Sequence, residues 1–427
     1  MKTIAVIGGG WSGCHTALEL ANAGHPVTLI EKGSELFNGV SGQFGIRIHK
    51  GPHYPRSSGT RDSCRRTFES FCQKYPELVV PVEPAIYAFA NTDSKGKESK
   101  VDADTFGEVC RESKECSPVD VGDWGPASEL EVAYKLDEPC AVLNPYLKHY
   151  FHEKLSRAGI SIRLNDEVTE VRRFGERYSL STSTGCEARF DKIINATGYA
   201  SAIPDGLLSN LPIKLNIKYQ ACTALSYTDT DPGQSPISFI VMDGWFPCLM
   251  PCLGGPNKVG DYVLTHGAYT ILGSYNSPAE ARSCLSNMAP DFMDSQVRPK
   301  IEEQMERFWP DFTQRFHYKG WKGSVLPKMV TETEFRSSVV FEADGVVYIF
   351  PGKISNVVDA AEEVLALIDG TEEKAIRCDR YGYARESELY RSRKEIEKPP
   401  IAKDRNTCFL QTHQELRVKA QAVTFVT

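Results

Sequence analysis

The 427-residue sequence lacks any apolar run approaching the roughly 18 residues needed to cross a bilayer. Its longest candidates, such as residues 237–242, stop at Asp243 and Gly244. It has no Cys-x-x-Cys pair, and its 13 cysteines are odd in number and scattered, which excludes a zinc ribbon or a dithiol motif and argues for reduced, buried thiols. Cys248 and Cys252, four apart around Pro251, read as small buried hydrophobes rather than a redox couple. Positive charge is in deficit, with 49 Lys and Arg against 56 Asp and Glu and a net charge of −7, so no nucleic-acid partner is expected. No internal repeat and no metal-ligand cluster is legible. No cleaved leader is expected either, because the opening MKTIAVIG begins a core strand at Thr3, and the ending FVT is no retention or peroxisomal signal. The expectation is a cytoplasmic protein without a membrane span, of ordinary folded composition and long enough for two domains.

What is present begins at once. Residues 3–7 are β-rich, residues 8–13 form a glycine loop, residues 12–23 have helical composition, and residues 27–30 make a second strand ending at Glu31. Within this βαβ unit Gly8, Gly10 and Gly13 have the GxGxxG spacing. Gly8 permits the tight turn, Gly10 lets the backbone approach a pyrophosphate, and Gly13 lets helix and strand pack closely. The helix start at Trp11 and Ser12 offers unpaired N–H groups to an anion. Glu31, 18 residues after Gly13, can accept both ribose hydroxyls and would repel a 2′-phosphate, so the site takes a dinucleotide with an unphosphorylated adenosine. Lys32, Ser41, Gly42 and Val168 are further cofactor-binding candidates.

Two later segments select the dinucleotide. Residues 190–198, FDKIINATG, read as a strand running into the turn Ala196, Thr197, Gly198. Residues 345–368 read as a strand, a turn through Gly352, Lys353, Ile354 and Ser355, and an amphipathic helix. These resemble the late motifs of two-dinucleotide-fold flavoproteins. The resemblance implies FAD, with the Ala-Thr-Gly turn passing the nucleotide and the last helix pointing its N-terminus at the flavin pyrimidine ring. The expected fold is α/β, a Rossmann-like, three-layer FAD domain assembled from residues 1–80, 141–204 and 336–370. Residues 81–140 and 205–335 are expected to form a second, substrate domain, one antiparallel sheet roofing the flavin. Residues 371–427 read as a charged C-terminal helix and tail.

The segment 41–66 concentrates Arg47, Lys50, Arg56, Arg61, Arg65 and Arg66 against Asp62 alone, with His49 and His53. It is either a solvated basic face or, given its interleaved Gly and Pro, a shaped loop at the cofactor. Its stretch SGQFGIRIHKGPHYP resembles the D-amino-acid oxidase-like (DAO) flavoprotein superfamily. The similarity is greatest to L-2-hydroxyglutarate dehydrogenase-type members, whose Ile-His-x-Gly-x-x-Tyr-Pro pattern is matched by Ile48, His49, Gly51, Tyr54 and Pro55. The resemblance implies an FAD-dependent oxidoreductase that moves a hydride from a C–N or C–O bond to flavin N5, with oxygen or another acceptor restoring the flavin. The His49 segment would lie against the isoalloxazine. Some amine-oxidising relatives link a histidine of this loop covalently to the flavin, but the surrounding residues differ here and non-covalent FAD is expected.

Several residues then have two readings each. Arg47 is a clamp for the carboxylate of a small or medium anionic amine or hydroxy compound, or a partner of the pyrophosphate. His49 and His53 are proton acceptors or packed structural histidines. Lys353 supplies positive potential to the reduced flavin or is a solvated turn lysine. Tyr54, Tyr262, His266, Tyr269 and Arg336 face a substrate or belong to strand cores. Two rival functions stay open: a flavin-dependent isomerase or mutase, since GPHYP also resembles the histidine loop of UDP-galactopyranose mutase-like proteins, and a non-catalytic FAD-binding protein.

Overall fold

The computed structural model describes residues 1–113, 115–124, 128–198, 217–233, 235–255, 260–330, 336–343 and 345–371. The charged helix and tail expected over 371–427 lie, apart from Thr371, outside the described residues. The strand Ile4–Ile7 pairs in parallel with Val27–Ile30 on one side and Lys192–Asn195 on the other. Ser161–Arg163 extends the sheet beyond Val27–Ile30, and Val346–Phe350 extends it beyond Lys192–Asn195. Val339–Ala343 closes that edge antiparallel, giving six strands. The central strands are almost wholly apolar because both faces are covered. Helices Trp11–Asn22, Tyr146–Arg157 and Val357–Asp369 cover one face through Ala17, Leu20, Phe151 and Val364. On the other face a three-stranded meander, Val168–Phe174, Arg177–Thr182 and Glu187–Phe190, lays Tyr178, Leu180 and Phe190 on Ala5, Ile30 and Ile193. These are the three layers expected.

The glycine loop is closed by contacts that admit no side chain. Gly8 has φ +107°, and a Cβ there would meet the Ala196 carbonyl oxygen at 2.7 Å. A Cβ on Gly13 would lie 1.8 Å from the Gly8 carbonyl oxygen. Backbone faces backbone at both positions, so neither neighbour can rotate away.

Among the described residues the large sheet has nine strands, with the long Ile217–Asp229 pairing Asp261–His266, Ile271–Tyr275 and Phe316–Met329, all antiparallel. Helices Pro278–Ser286 and Arg298–Glu306 pack on it through Ala281, Cys284, Ile301 and Met305. One pairing departs from the antiparallel expectation: Ser238–Met242 runs parallel to Ala85–Phe89. The sheet is a join of two blocks distant in sequence, and this pair is the seam between them. A further small sheet pairs Cys140–Ala141 with both Ile46–Arg47 and Val79–Val80. It pins the loop bearing Arg47 and His49 beneath the large sheet. Among the described residues no helix is long and apolar enough to cross a membrane.

Candidate active site

A cavity of about 910 Å³ runs from the glycine loop to the underside of the nine-stranded sheet. That is near the top of the roughly 300–1,000 Å³ usual for ligand sites. At one end the helix Trp11–Asn22 begins without any side-chain cap at Gly10, leaving its first N–H groups for a ligand. The Glu31 carboxylate is held by the Gly9 N–H at 2.6 Å and the Gly33 N–H at 2.7 Å, at the cavity wall where strand Val27–Ile30 ends. Gly8, Gly10, Ser12, Lys32, Ser41, Val168, Ala196, Thr197 and Gly198 line the same end. Uncapped helix start, side-chain-free loop and fixed carboxylate together fit an adenosine and its pyrophosphate.

Three cofactor candidates are placed differently from expectation. Trp11 offers the cavity its backbone only, because its indole is wedged among Phe37, Phe71, Tyr75 and Phe151. Gly42 does not line the cavity; it is a packing glycine whose Cβ would meet the Phe37 carbonyl oxygen at 2.0 Å. Ser355 is buried and accepts the Thr67 hydroxyl at 2.8 Å, on the side of helix Ser58–Lys74. Gly352, Lys353 and Ile354 do line the cavity, just before helix Val357–Asp369.

At the other end Arg47, His49, His53, Tyr54 and Lys353 come together. The Arg47 side chain is 0% exposed and lies over the Tyr87 ring at 4.7 Å, with Nη1 3.8 Å from Glu138. None of its three guanidinium nitrogens has a hydrogen-bond partner among the described residues. Burial alone would lower its pKa, yet Tyr87 and Glu138 raise it, so it remains a cation. The rings of His49 and His53 stack at 4.8 Å, and both touch the edge of Tyr54. Burial, then the positive charges of Lys353, Arg47 and Arg336, hold His49 well below the ordinary histidine pKa. Burial acts likewise on His53, reinforced by His49, Lys353 and Arg47 and opposed by Glu138. Both imidazoles are therefore neutral bases at neutral pH. The Lys353 ammonium lies 4.6 Å from the centre of the Tyr54 ring, and burial lowers its pKa to about 8. Arg336 also lines the cavity, its backbone N–H donating to Thr60 Oγ1 at 3.0 Å.

The roof candidates divide. Tyr262 is a core residue that accepts the Ile237 N–H at 3.2 Å and packs on Phe316, and it does not reach the cavity. Tyr269 packs on His266 and the roof core, also away from the cavity. His266 touches the cavity, but both ring nitrogens are engaged: Nδ1 accepts the Ala268 N–H at 3.1 Å and Nε2 donates to Ser94 Oγ at 2.7 Å. It is a structural histidine. Sequence reasoning missed Tyr87 and Glu138, which carry no motif and become a pair only through the fold.

His266 makes stability depend on pH. Burial, then Arg307 and Lys95, lowers its pKa from 6.5 to about 3, so between those values the unfolded chain binds a proton that the folded protein does not. Stability from this site is complete above pH 6.5 and falls as the pH drops toward 3, by about 1.4 kcal/mol per pH unit. Urea unfolding between pH 4 and 6.5 should give a shallower slope in His266→Asn than in the parent, and equal slopes would contradict this assignment.

The family model for FAD dependent oxidoreductase (DAO) matches residues 3–352. The chain is 47% identical over 423 residues to the FAD-dependent monooxygenase kojA of Aspergillus flavus, covering 97% of each. It is 27% identical to the FAD-dependent monooxygenase FPY4 of Fusarium mangiferae, over 86% of this chain and 91% of that one. Among solved structures, glycine oxidase from Geobacillus kaustophilus matches with TM-score 0.64 and 16% identity, covering 89% of this chain and 97% of that one. The open form of a Tyr258Phe mutant of NikD, an unusual amino acid oxidase essential for nikkomycin biosynthesis, matches with TM-score 0.67 and 15% identity, covering 89% and 96%. The two structural likenesses speak for the fold alone.

Proposed function

The chain belongs to the FAD-dependent oxidoreductases of the DAO family, and from that premise we propose that it dehydrogenates a C–N or C–O bond of a small or medium anionic amine or hydroxy compound. Bound FAD supplies the two-electron acceptor, on the fingerprint, the Ala196–Gly198 turn and the Gly352–Ile354 turn. The observation that carries the substrate class is Arg47: a fully buried cation without a hydrogen bond is costly, and a carboxylate entering the cavity would fill its planar fork. His49 is the proton acceptor, with His53 stacked against it, while Tyr54 and Lys353 close the same wall. Lys353 adds positive charge for the anion below its pKa of about 8. A second reading, oxygen insertion, rests on the Aspergillus and Fusarium relatives, both named FAD-dependent monooxygenases. None of the relatives named above is an isomerase.

The test is a titration of the holoenzyme with small carboxylates and their neutral amides, followed by the flavin absorbance. Carboxylates should perturb the spectrum and bind at least about tenfold more tightly than the amides, as one charge-assisted contact of about 1.5–3 kcal/mol requires. Carboxylate affinity should fall as the pH rises past about 8, where Lys353 loses its proton, and Lys353→Met should remove that decline. Equal affinity for acid and amide would sink the anionic-substrate reading.

A further inference from the structure

Glu138 is fully buried and both its oxygens accept: Oε1 takes the Lys50 backbone N–H at 2.6 Å and Oε2 takes the Tyr87 hydroxyl at 2.6 Å. The Tyr87 proton is thus committed to Glu138. His49 Nδ1 lies 3.3 Å from the Tyr87 oxygen and 3.5 Å from Glu138 Oε2. Neither oxygen has a proton to give the ring, so Nδ1 must be the donor. A neutral imidazole protonated on Nδ1 carries its lone pair on Nε2. His49 lines the cavity, and with Nδ1 held on the wall side, Nε2 is the nitrogen left for a ligand.

We propose that Glu138, acting through Tyr87, holds His49 as its Nδ1–H tautomer, so that His49 Nε2 accepts the proton lost by the substrate's amine or hydroxyl. The inference rests on the proposed dehydrogenation beside His49. In that step the substrate N–H or O–H bond breaks, its electron pair stays on the nitrogen or oxygen, and the proton bonds to Nε2. The resulting imidazolium keeps its Nδ1–H on the Tyr87 and Glu138 oxygens, and the Glu138 carboxylate is its counter-charge. Arg47, Lys353 and Arg336 oppose that charge and His53 stacks beside it, while Glu138 Oε2, 3.5 Å from Nδ1, is the negative group on that side of the ring. Glu138 and Tyr87 are positioning residues: they act through His49.

The experiment is a nitrogen NMR spectrum of holoenzyme carrying ¹⁵N-labelled histidine, with the His49 signals identified by their loss in His49→Asn. The parent should show His49 with Nδ1 protonated and Nε2 bare. In Glu138→Leu the Tyr87 hydroxyl loses its acceptor and turns its proton to Nδ1, so the tautomer should switch to Nε2–H. Turnover of whichever amino or hydroxy acid reduces the flavin should then fall about ten- to hundredfold, with the loss in kcat rather than KM. A parent spectrum with His49 protonated on Nε2 overturns the proposal whether or not any variant folds. So does a Glu138→Leu protein that keeps both the Nδ1–H tautomer and the parent kcat, or a His49→Asn protein with the parent rate. Failure of every amino and hydroxy acid to reduce the flavin would instead count against the proposed dehydrogenation, and leave the tautomer to be read from the spectrum.

Discussion

Arg47→Ala should reduce kcat/KM for an anionic substrate by about 30- to several-thousand-fold while the protein keeps its FAD. The range corresponds to the roughly 2–5 kcal/mol lost when one partner of a buried, hydrogen-bonded charge pair is removed. Retention of FAD follows from position: the groups that fit the dinucleotide, from Gly8 to Ser12 and at Glu31, belong to the βαβ unit, whereas Arg47 is packed over Tyr87 near Glu138. Arg47→Lys should recover only part of the loss, since an ammonium keeps the charge but not the two-pronged geometry. Steady-state kinetics together with the flavin-to-protein absorbance ratio decide the matter. A fall in FAD content with unchanged substrate affinity of the remaining holoenzyme would assign Arg47 to the cofactor.

Gly13→Ala should weaken FAD binding about 5- to 150-fold and lower the stability of the cofactor-free protein as well. Its new Cβ would sit 1.8 Å from the Gly8 carbonyl oxygen, so the turn itself must open, at the roughly 1–3 kcal/mol typical of overpacking. Gly10→Ala separates the two effects. A Cβ there meets Ser41 Oγ at 3.3 Å and no backbone, so the apoprotein should melt close to the parent. FAD affinity should still fall, because a methyl group would stand where the pyrophosphate approaches the helix start. Melting curves of apoprotein and FAD titrations check both. An FAD affinity in Gly13→Ala equal to the parent's would mean that the cofactor lies elsewhere.

The cofactor end of the site was legible because its constraints are local. A turn that admits no Cβ selects Gly8 and Gly13 within six residues, and strand, helix and Glu31 follow in one short stretch. The gathering of Arg47, His49, His53 and Tyr54 at the other end of the cavity was legible in part for the same reason, since they belong to one loop. Lys353 joined them through the resemblance of its turn to flavoproteins. Tyr87 and Glu138 were not legible, because neither is unusual in its own strand or turn and their meaning comes from meeting His49 across the fold. Tyr262 and Tyr269 misled for a reason particular to strands and their turns. Alternate side chains point to opposite faces, and without the register a tyrosine of the core reads the same as one of the cavity. The parallel junction between Ser238–Met242 and Ala85–Phe89 lay beyond pattern reading, because it depends on how two distant blocks dock.

In the proposed dehydrogenation the substrate itself is expected to give its electrons to the flavin. The most direct measurement is anaerobic mixing of the holoenzyme with a panel of small amino and hydroxy acids, without nicotinamide, while the oxidised flavin band is followed. At least one member should bleach the band stoichiometrically, and the bleaching should persist until oxygen or another acceptor is admitted. If no member bleaches it while NADH or NADPH does, and an atom of molecular oxygen then enters the product, the dehydrogenation account is contradicted and oxygen insertion takes its place.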